Sequence, residues 1–253
     1  MKKGLRVLVP LAAAALPVAF MAPAATADSG TSYQTTLNPL NGSGASGMAT
    51  VDLNGDTANI HVSWSGLASK FGGNPYPHVE HIHIGADGTC PTMSADKNSD
   101  GVISTTEGGP AYGAIGTTLS VKGDTSPAAG TNIKIAPSGS STDYHRTIKL
   151  SSDTLSSLQN GTGVIVVHGL DPATLSKKAQ KEKSDLVPSL PLAATSPALC
   201  GALTAMPTGG VATGNGSTAG LEDAGLLGLG GVMVAAGGVG VMVARRKRAA
   251  TRI

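Results

Sequence analysis

The segment from His78 to Glu107 carries the side chains best suited to chemistry, and they are of two kinds. Its first part places histidines at the alternating spacing of a β-strand, in the order His81, Ile82, His83. Its second part places oxygen-bearing side chains at the spacing of a calcium-binding loop. Imidazoles suit copper or zinc, whereas hard oxygen ligands suit calcium. The segment therefore predicts metal binding of one or both kinds.

The twelve residues from Asp96 to Glu107 match the calcium-loop template. In that template, side-chain oxygens stand at positions one, three and five, glycine makes the turn at six, and a bidentate Glu closes the shell at twelve. A carbonyl serves at position seven and a polar group acts at nine. The predicted calcium ligands are Asp96, Asn98, Asp100, Val102 (through its carbonyl), Ser104 and Glu107. The alternative interpretation is a solvated acidic turn that binds no ion.

The flanks of this loop differ from those of a helix–loop–helix calcium sensor. The flanking residues are Cys-Pro-Thr-Met-Ser at 90–94 and Gly-Gly-Pro at 108–110, so paired helices are not expected there. We expect instead a calcium loop inserted in a β domain, where the ion orders a surface excursion and opens no hydrophobic groove.

His81 and His83 lie two residues apart, so on a strand both rings project from the same face. Two imidazoles on one face suit copper or zinc. The pattern alone has low specificity, because histidines are common on the polar face of a strand. The competing interpretation is therefore a polar strand face without a metal.

The order of motifs resembles the copper,zinc superoxide dismutase superfamily. There, a His-x-His strand precedes a disulfide cysteine, a later strand ends in Val-Val-His, and the partner cysteine lies in a Cys-Gly strand. The matching residues here are His81, His83, Gly85, Cys90, Val166–Gly169 and Leu199–Gly201. The chain also resembles the chordin-type (CHRD) domain, a non-enzymatic relative in shape. That resemblance lies in Gly47–Leu53, Ser65–Leu67 and His81–His83.

These resemblances span roughly residues 31–203 and imply an all-β fold: an immunoglobulin-like, superoxide dismutase-like Greek-key antiparallel sandwich. They also imply a Cys90–Cys200 disulfide. Two cysteines in an exported chain independently favour one disulfide, with a pair of free thiols as the alternative.

Three copper positions of the dismutase pattern are matched, by His81, His83 and His168. A copper-only site would take a fourth ligand, for which His145 and His78 are the candidates. The bridging histidine and the zinc ligands of the dismutase pattern have no match in residues 90–113. The substrate-guiding arginine is replaced by Pro197, so a superoxide anion would be poorly attracted.

Away from these motifs the patterning is that of an all-β protein. Residues 47–66 predict a hairpin whose apolar face carries Ile60, Val62 and Trp64, with His61 pointing to solvent. Further strands are predicted at 79–84, 117–122, 132–136, 146–150 and 164–168. Short helices are predicted at 153–158 and 172–183.

Residues 1–27 are a predicted signal peptide, because a basic start leads into an apolar run and a small-residue cleavage site. Residues 28–203 are the predicted sandwich, with the calcium loop 96–107 inserted. Residues 204–223 are a predicted flexible stalk, mostly Gly, Thr, Ala and Ser.

Residues 224–244 carry no charge and predict one transmembrane helix, followed by a basic cytoplasmic tail at 245–253. The body of the protein is then extracellular, and the protein is a single-pass protein of the cell membrane. Residues 206–210, Met-Pro-Thr-Gly-Gly, imperfectly resemble Gram-positive sorting signals, so a sortase is a further predicted partner and wall attachment a further expectation.

The charge of the exported part excludes one class of function. Of 18 Lys and Arg, three lie in the signal and five follow Ala244, which leaves ten against 16 acids and a net charge near −6. An acidic, aromatic-poor ectodomain argues against nucleic-acid binding and is compatible with cation binding.

Two hypotheses of function follow. The first is a membrane-tethered CHRD-like binding or structural module with a calcium-ordered loop, which meets an unknown extracellular or cell-envelope partner. The second is a copper-only superoxide dismutase-like enzyme with His81, His83 and His168 as ligands.

Overall fold

A computed structural model of the chain describes residues 30–207. Within this part the chain forms eleven strands. They are β1 (Thr31–Pro39), β2 (Ser46–Asn54), β3 (Thr57–Ser65), β4 (Lys70–Phe71), β5 (Asn74–Pro75), β6 (Glu80–Ile84), β7 (Ala114–Thr118), β8 (Ser141–Lys149), β9 (Val164–His168), β10 (Pro197–Ala202) and β11 (Thr204–Ala205).

Helices are short in the described residues. The α-helices are α1 (Thr105–Tyr112), α2 (Ser152–Gln159) and α3 (Leu192–Thr195). Single 3₁₀ turns are Met93–Ala95, Pro127–Ala129, Ile133–Ile135, Pro172–Thr174 and Ala179–Lys181.

The main strands form one curled antiparallel sheet in the order β7-β6-β9-β10-β1-β2-β3-β8, with β11 added beside β1. β1 joins the two halves, since residues 31–37 pair with β2 whereas Asn38 and Pro39 pair with β10. Apolar side chains from both halves pack into one core between them, which gives a sandwich-like arrangement. The predicted all-β fold is confirmed at this level.

The hairpin of β2 and β3 shows how alternation builds that core. Ala58, Ile60, Val62 and Trp64 of β3 are all buried, and the residues between them are exposed or half-buried. The turn lies between Asn54 and Thr57, within the predicted hairpin. The buried position of Trp64 and the outward position of His61 are confirmed.

β9 is buried on both faces, which explains its unbroken apolar run. Ile165 and Val167 pack into the main core. The opposite face packs into a second cluster formed by Tyr112, Val164, Val166 and Cys200. The predicted Cys90–Cys200 disulfide is confirmed, and it ties the loop after β6 to β10.

Two predicted elements are wrong because local side-chain bonds compete with them. The strand expected at 132–136 is a 3₁₀ turn, since the Asn132 side chain accepts a hydrogen bond from the Lys134 N–H. The helix expected at 172–183 is two separate 3₁₀ turns. Between them, the Ser176 hydroxyl donates to the carbonyl of Asp100 and fixes the chain there.

Other predicted elements are shifted. The strand expected at 117–122 ends at Thr118, because the chain then turns back and the Thr118 N–H donates to the Thr125 carbonyl. The strands at 164–168 and 79–84 and the helix at 153–158 are present, with ends that move by at most one residue. The strand at 146–150 begins earlier, at Ser141.

The predictions for the chain ends mostly lie outside the described residues: the signal peptide, most of the stalk, the transmembrane helix and the basic tail. Thr204 and Ala205, at the start of the predicted stalk, still belong to the sheet. Within residues 30–207 no helix is long and apolar enough to cross a membrane.

Candidate metal centre

Three buried histidines on two paired strands have their rings close together. His81 and His83 come from β6, and His168 is the last residue of the neighbouring strand β9. One ring nitrogen of each lies within 4.8 Å of one from each of the other two. Nitrogens that share one metal ion lie roughly 3–4 Å apart. The structure therefore brings together the three histidines that the sequence analysis grouped.

A backbone carbonyl anchors each imidazole through one nitrogen. His81 Nε2 lies 3.0 Å from the carbonyl oxygen of Gly130, His83 Nδ1 lies 2.9 Å from that of Gly113, and His168 Nδ1 lies 2.7 Å from that of Thr195. A carbonyl only accepts, so these nitrogens carry the ring protons. The anchors fix both the tautomer and the orientation of each ring.

The other nitrogen of each ring is buried and has no hydrogen-bond partner in the protein: His81 Nδ1, His83 Nε2 and His168 Nε2. Buried polar atoms are almost always paired, so three orphans in one place need an explanation. Each presents a lone pair, which is what a metal ion requires of neutral imidazole. The donor set therefore fits copper or zinc.

Burial keeps these rings neutral. Loss of solvent lowers the pKa of His83 to about 3 and the pKa of His168 to about 4. The pKa of His81 falls well below its usual range, first because of burial and then because the other two rings would repel its charge. All three imidazoles are therefore in the metal-binding form at neutral pH.

Two glycines allow the anchoring loops to approach closely. A Cβ on Gly130 would stand 2.4 Å from Ile115 Cδ1 and 3.2 Å from His81 Nε2. Gly113 has φ of 92°, and a Cβ there would overlap the carbonyl of Ile84. Both positions supply an anchoring carbonyl, so glycine is required where the backbone must touch the centre.

The three histidines line a cavity of about 500 Å³. Its walls are mostly apolar and come from the loops around β6, β7 and α3. They include Phe71, Val79, Ile115, Ile133, Leu186, Val187 and Leu190. The histidines are almost fully buried, whereas Phe71, Ile133 and Leu186 are substantially exposed. The imidazoles thus form the floor and these apolar side chains form the mouth.

Glu80, just before the histidine pair, was not singled out from the sequence. It is fully buried in the core, where Trp64 Nε1 donates a 2.9 Å hydrogen bond to Oε2. Burial raises the pKa of Glu80 to about 8, so the carboxyl is protonated at neutral pH. Strand alternation could have revealed it, since residue 80 shares the inward face of Ile82.

His145 and His78 do not join the three histidines. His145 lies in a second cluster with His61 and Asp143, whose Oδ1 is 2.8 Å from His61 Nε2 and 3.2 Å from His145 Nε2. This cluster is half-buried to exposed and lies on the outer face of β3 and β8. Both nitrogens of His78 already face carbonyl oxygens at 3.0 Å, those of His168 and Ala68.

The predicted calcium loop folds as a closed turn. The Asp96 carboxylate accepts from the N–H groups of Asp100 and Gly101, and Glu107 Oε1 accepts from the N–H of Lys97 at 2.8 Å. Of the described residues, only the two histidine-containing groups bring three His, Cys, Asp or Glu ligand atoms within 4.8 Å of one another. Calcium binding by this loop stays a prediction.

The chain leaves this loop through a helix but has only a 3₁₀ turn before it, so the absence of paired helices is as expected although one flank is helical. α1 begins directly after Ser104, whose hydroxyl accepts from the Glu107 N–H while the Glu107 carboxylate accepts from the Ser104 N–H. This capping box satisfies two N–H groups that the helix leaves free and outweighs the internal Pro110. On the other side only a 3₁₀ turn forms, so the helices are not paired.

Comparison with family models, with curated proteins and with solved structures finds no match to this chain. Its function is therefore argued from its own side chains.

Proposed function

We propose that this protein binds one transition-metal ion, copper by preference, through His81, His83 and His168. One observation carries the proposal: three buried imidazole nitrogens, each left unpaired by a ring anchored through its other nitrogen, lie together at the floor of one cavity. Leaving such atoms unpaired costs free energy of about 1–3 kcal/mol each. A bound ion offsets that cost, and none of the described side chains is bonded to these nitrogens.

The donor set favours copper over the alternatives. Neutral imidazoles suit copper and zinc, whereas calcium and magnesium require oxygen. Among divalent ions, copper binds nitrogen sites more tightly than zinc does. Copper would supply one-electron redox chemistry at this position. The protein's own contribution is to hold three rings neutral, oriented and shielded from water.

A superoxide dismutase-like enzyme is the second candidate, because its pattern assigns these three histidines to copper. The strand order of the sheet also supports a Greek-key sandwich of the dismutase and CHRD type. Two features count against catalysis. The position of the substrate-guiding arginine is the buried Pro197, and the cavity mouth is apolar, so no side-chain charge at the mouth draws an anion toward the metal. We therefore favour a binding module over this enzyme.

We propose further that the module is displayed on the cell surface, tethered by residues 224–244, and that calcium orders the loop 96–107. The loop's acidic surroundings support the calcium proposal. The pKa of Glu182 is raised because its carboxyl shares a hydrogen bond with Asp100 and is repelled by it. A cation bound beside Asp100 would relieve that repulsion. The extracellular or envelope partner, and a sortase acting at 206–210, stay proposals from the sequence.

Copper loading of purified protein tests the metal proposal. Wild type should retain about one copper per chain after desalting, measured by elemental analysis. His81→Ala and His168→Gln should lose it, with thermal melting used to verify that each variant folds. The matched control is the double variant His61→Ala/His145→Ala, which removes the exposed cluster and should load as wild type does.

The opposite pattern would contradict the proposal: copper retained by His81→Ala but lost from the His61→Ala/His145→Ala control. Superoxide disproportionation decides between the two functions. A copper-loaded protein that accelerates it, with the effect lost in His81→Ala, would favour the enzyme over the binding module.

A further inference from the structure

The cavity above the three histidines has the features of a small-molecule site. Its volume of about 500 Å³ lies within the usual range for pockets that enclose ligands of drug size. Such pockets are mainly apolar and contain a few convergent polar groups that orient the ligand. Here the convergent groups are the three imidazole nitrogens, and most other lining side chains are apolar.

The exposed side chains at the mouth of the cavity are a second, independent indication of a ligand-binding site. Within residues 30–207, six large apolar side chains are substantially exposed, and three of them, Phe71, Ile133 and Leu186, line this one cavity. Exposed apolar side chains that cluster at a concave site mark a binding surface, whereas scattered ones need no explanation. The other three are Met48, Met93 and Val121, which do not line the cavity.

The charge of the site restricts what can enter. Lys, Arg, Asp and Glu are all absent from the described residues that line the cavity. Apart from a metal at the floor, no lining group offers a counter-charge, so a molecule that carries charges along its body would lose water there without gaining a partner. The unpaired buried nitrogens lie together at the floor and the walls are mainly apolar, so the best-fitting occupant has one polar end and an apolar body.

We propose that the cavity binds an apolar small molecule whose single lone-pair donor atom faces the metal held by His81, His83 and His168. This inference rests on the proposed metal centre and adds the class of its ligand. The apolar body packs against Ile115 and Val187 and against the mouth side chains. A concave pocket with a buried floor fits a small molecule better than a protein segment, whose backbone would be stripped of hydrogen bonds.

Calorimetric titration with a matched pair of probes tests this. The full chain is loaded with copper, and its metal content is measured first. 4-Phenylimidazole carries a donor and an apolar body, whereas imidazole carries the donor alone. The phenyl group should tighten binding at least about tenfold, the lower end of the effect of burying one aromatic ring. The double variant Ile133→Ser/Leu186→Ser should reduce the affinity for 4-phenylimidazole about fivefold or more and leave imidazole unchanged.

The control is Met48→Ser/Val121→Ser, which exchanges equally exposed side chains away from the cavity and should bind both probes as wild type does. Equal affinity for the two probes on copper-loaded protein would overturn the inference while leaving the metal centre intact. Equal losses in the mouth variant and the control would overturn it as well. If no copper is retained, the metal centre fails and this inference fails with it.

Discussion

Acid should destabilise the metal-free protein through its buried histidines. The pKa of His83 is lowered to about 3 and that of His168 to about 4, and that of His81 falls in the same direction, all chiefly because of burial. In the unfolded chain each imidazole titrates near pH 6.5, so below that pH the unfolded state binds more protons than the folded state. The stability these neutral rings contribute is therefore present above pH 6.5 and is lost as the pH falls toward their folded pKa values.

The size of the effect follows from the proton count. Between pH 7 and 5 each histidine removes about 2 kcal/mol, so three remove about 6 kcal/mol. Glu80 acts in the opposite direction, because burial raises its pKa to about 8 and the folded state is already protonated while the unfolded state is not. Protonation of Glu80 therefore raises the free energy of unfolding by roughly 2–3 kcal/mol between pH 7 and 5. The net loss from these four groups is then roughly 3–4 kcal/mol, a large part of the stability of a typical domain. His78, whose pKa burial also lowers, acts in the same direction as the three histidines.

Urea denaturation with a chelator present measures this loss. Trp64 is the single Trp of the chain and is buried, so its fluorescence reports unfolding. His83→Gln removes one titrating ring and should reduce the loss between pH 7 and pH 5 by about 2 kcal/mol. His145→Gln, a substitution at an exposed ring outside the centre, is the control and should not reduce it. A stability that stays flat or rises from pH 7 to pH 5, or a His83→Gln variant that loses as much as wild type, would refute the reasoning.

Three further predictions concern separate features of the molecule. Removing the disulfide with Cys90→Ala/Cys200→Ala should cost about 4 kcal/mol by urea denaturation, because the bond closes a loop across a sequence separation of 110 residues. Gly130→Ala should weaken copper binding by about tenfold in a competition titration, since its new Cβ would press on the His81 ring while its backbone conformation stays allowed. Glu107→Gln should abolish any rise in melting temperature given by millimolar calcium, because it removes the charged bidentate ligand. It should also lower the calcium-free melting temperature slightly, since its single amide oxygen can keep the bond from the Ser104 N–H or the bond from the Lys97 N–H but not both.

The β pattern and part of the centre could be predicted from the sequence because both follow local rules. Alternation placed Ile60, Val62 and Trp64 on one face of β3 and His61 on the other. The spacing of His81 and His83 placed both rings on one side of β6. His168 lies far along the chain, and only the resemblance to a known motif order connected it to the pair.

Strand alternation could also have shown that His145 lies apart from the three-histidine centre. It pairs directly with His61 across β3 and β8, and His61 was already expected to face outward. Directly opposite residues in an antiparallel pair share a face. The error arose because β8 was expected to begin at residue 146, so no partner for His61 was assigned.

The cavity could not have been predicted, because its walls come from segments whose conformation is set by individual contacts. Ile133 was expected in a strand and lies instead in a 3₁₀ turn, which carries its side chain to the mouth. Leu186 lies in an irregular segment held by the hydroxyl of Ser184, which accepts from the Leu186 N–H. Periodicity indicates which residues share a face of a regular element, and it carries no information about loops.

The centre likewise combines regular strands with loops whose conformation is set by individual contacts. Two strands deliver the three rings, but three carbonyls from loops and helix ends, those of Gly113, Gly130 and Thr195, decide which nitrogen of each ring stays free. A side-chain anchor would appear in a motif, whereas a carbonyl is supplied by every residue type. Substitutions at Thr195 that keep the backbone in place should therefore preserve the tautomer of His168. A side chain at Gly113 would instead overlap the Ile84 carbonyl, and one at Gly130 would press on Ile115 and His81. The positions of the anchoring backbone carbonyls therefore determine which ring nitrogens can bind a metal. In the sequence, only Gly113 and Gly130 indicate where these carbonyls approach the rings.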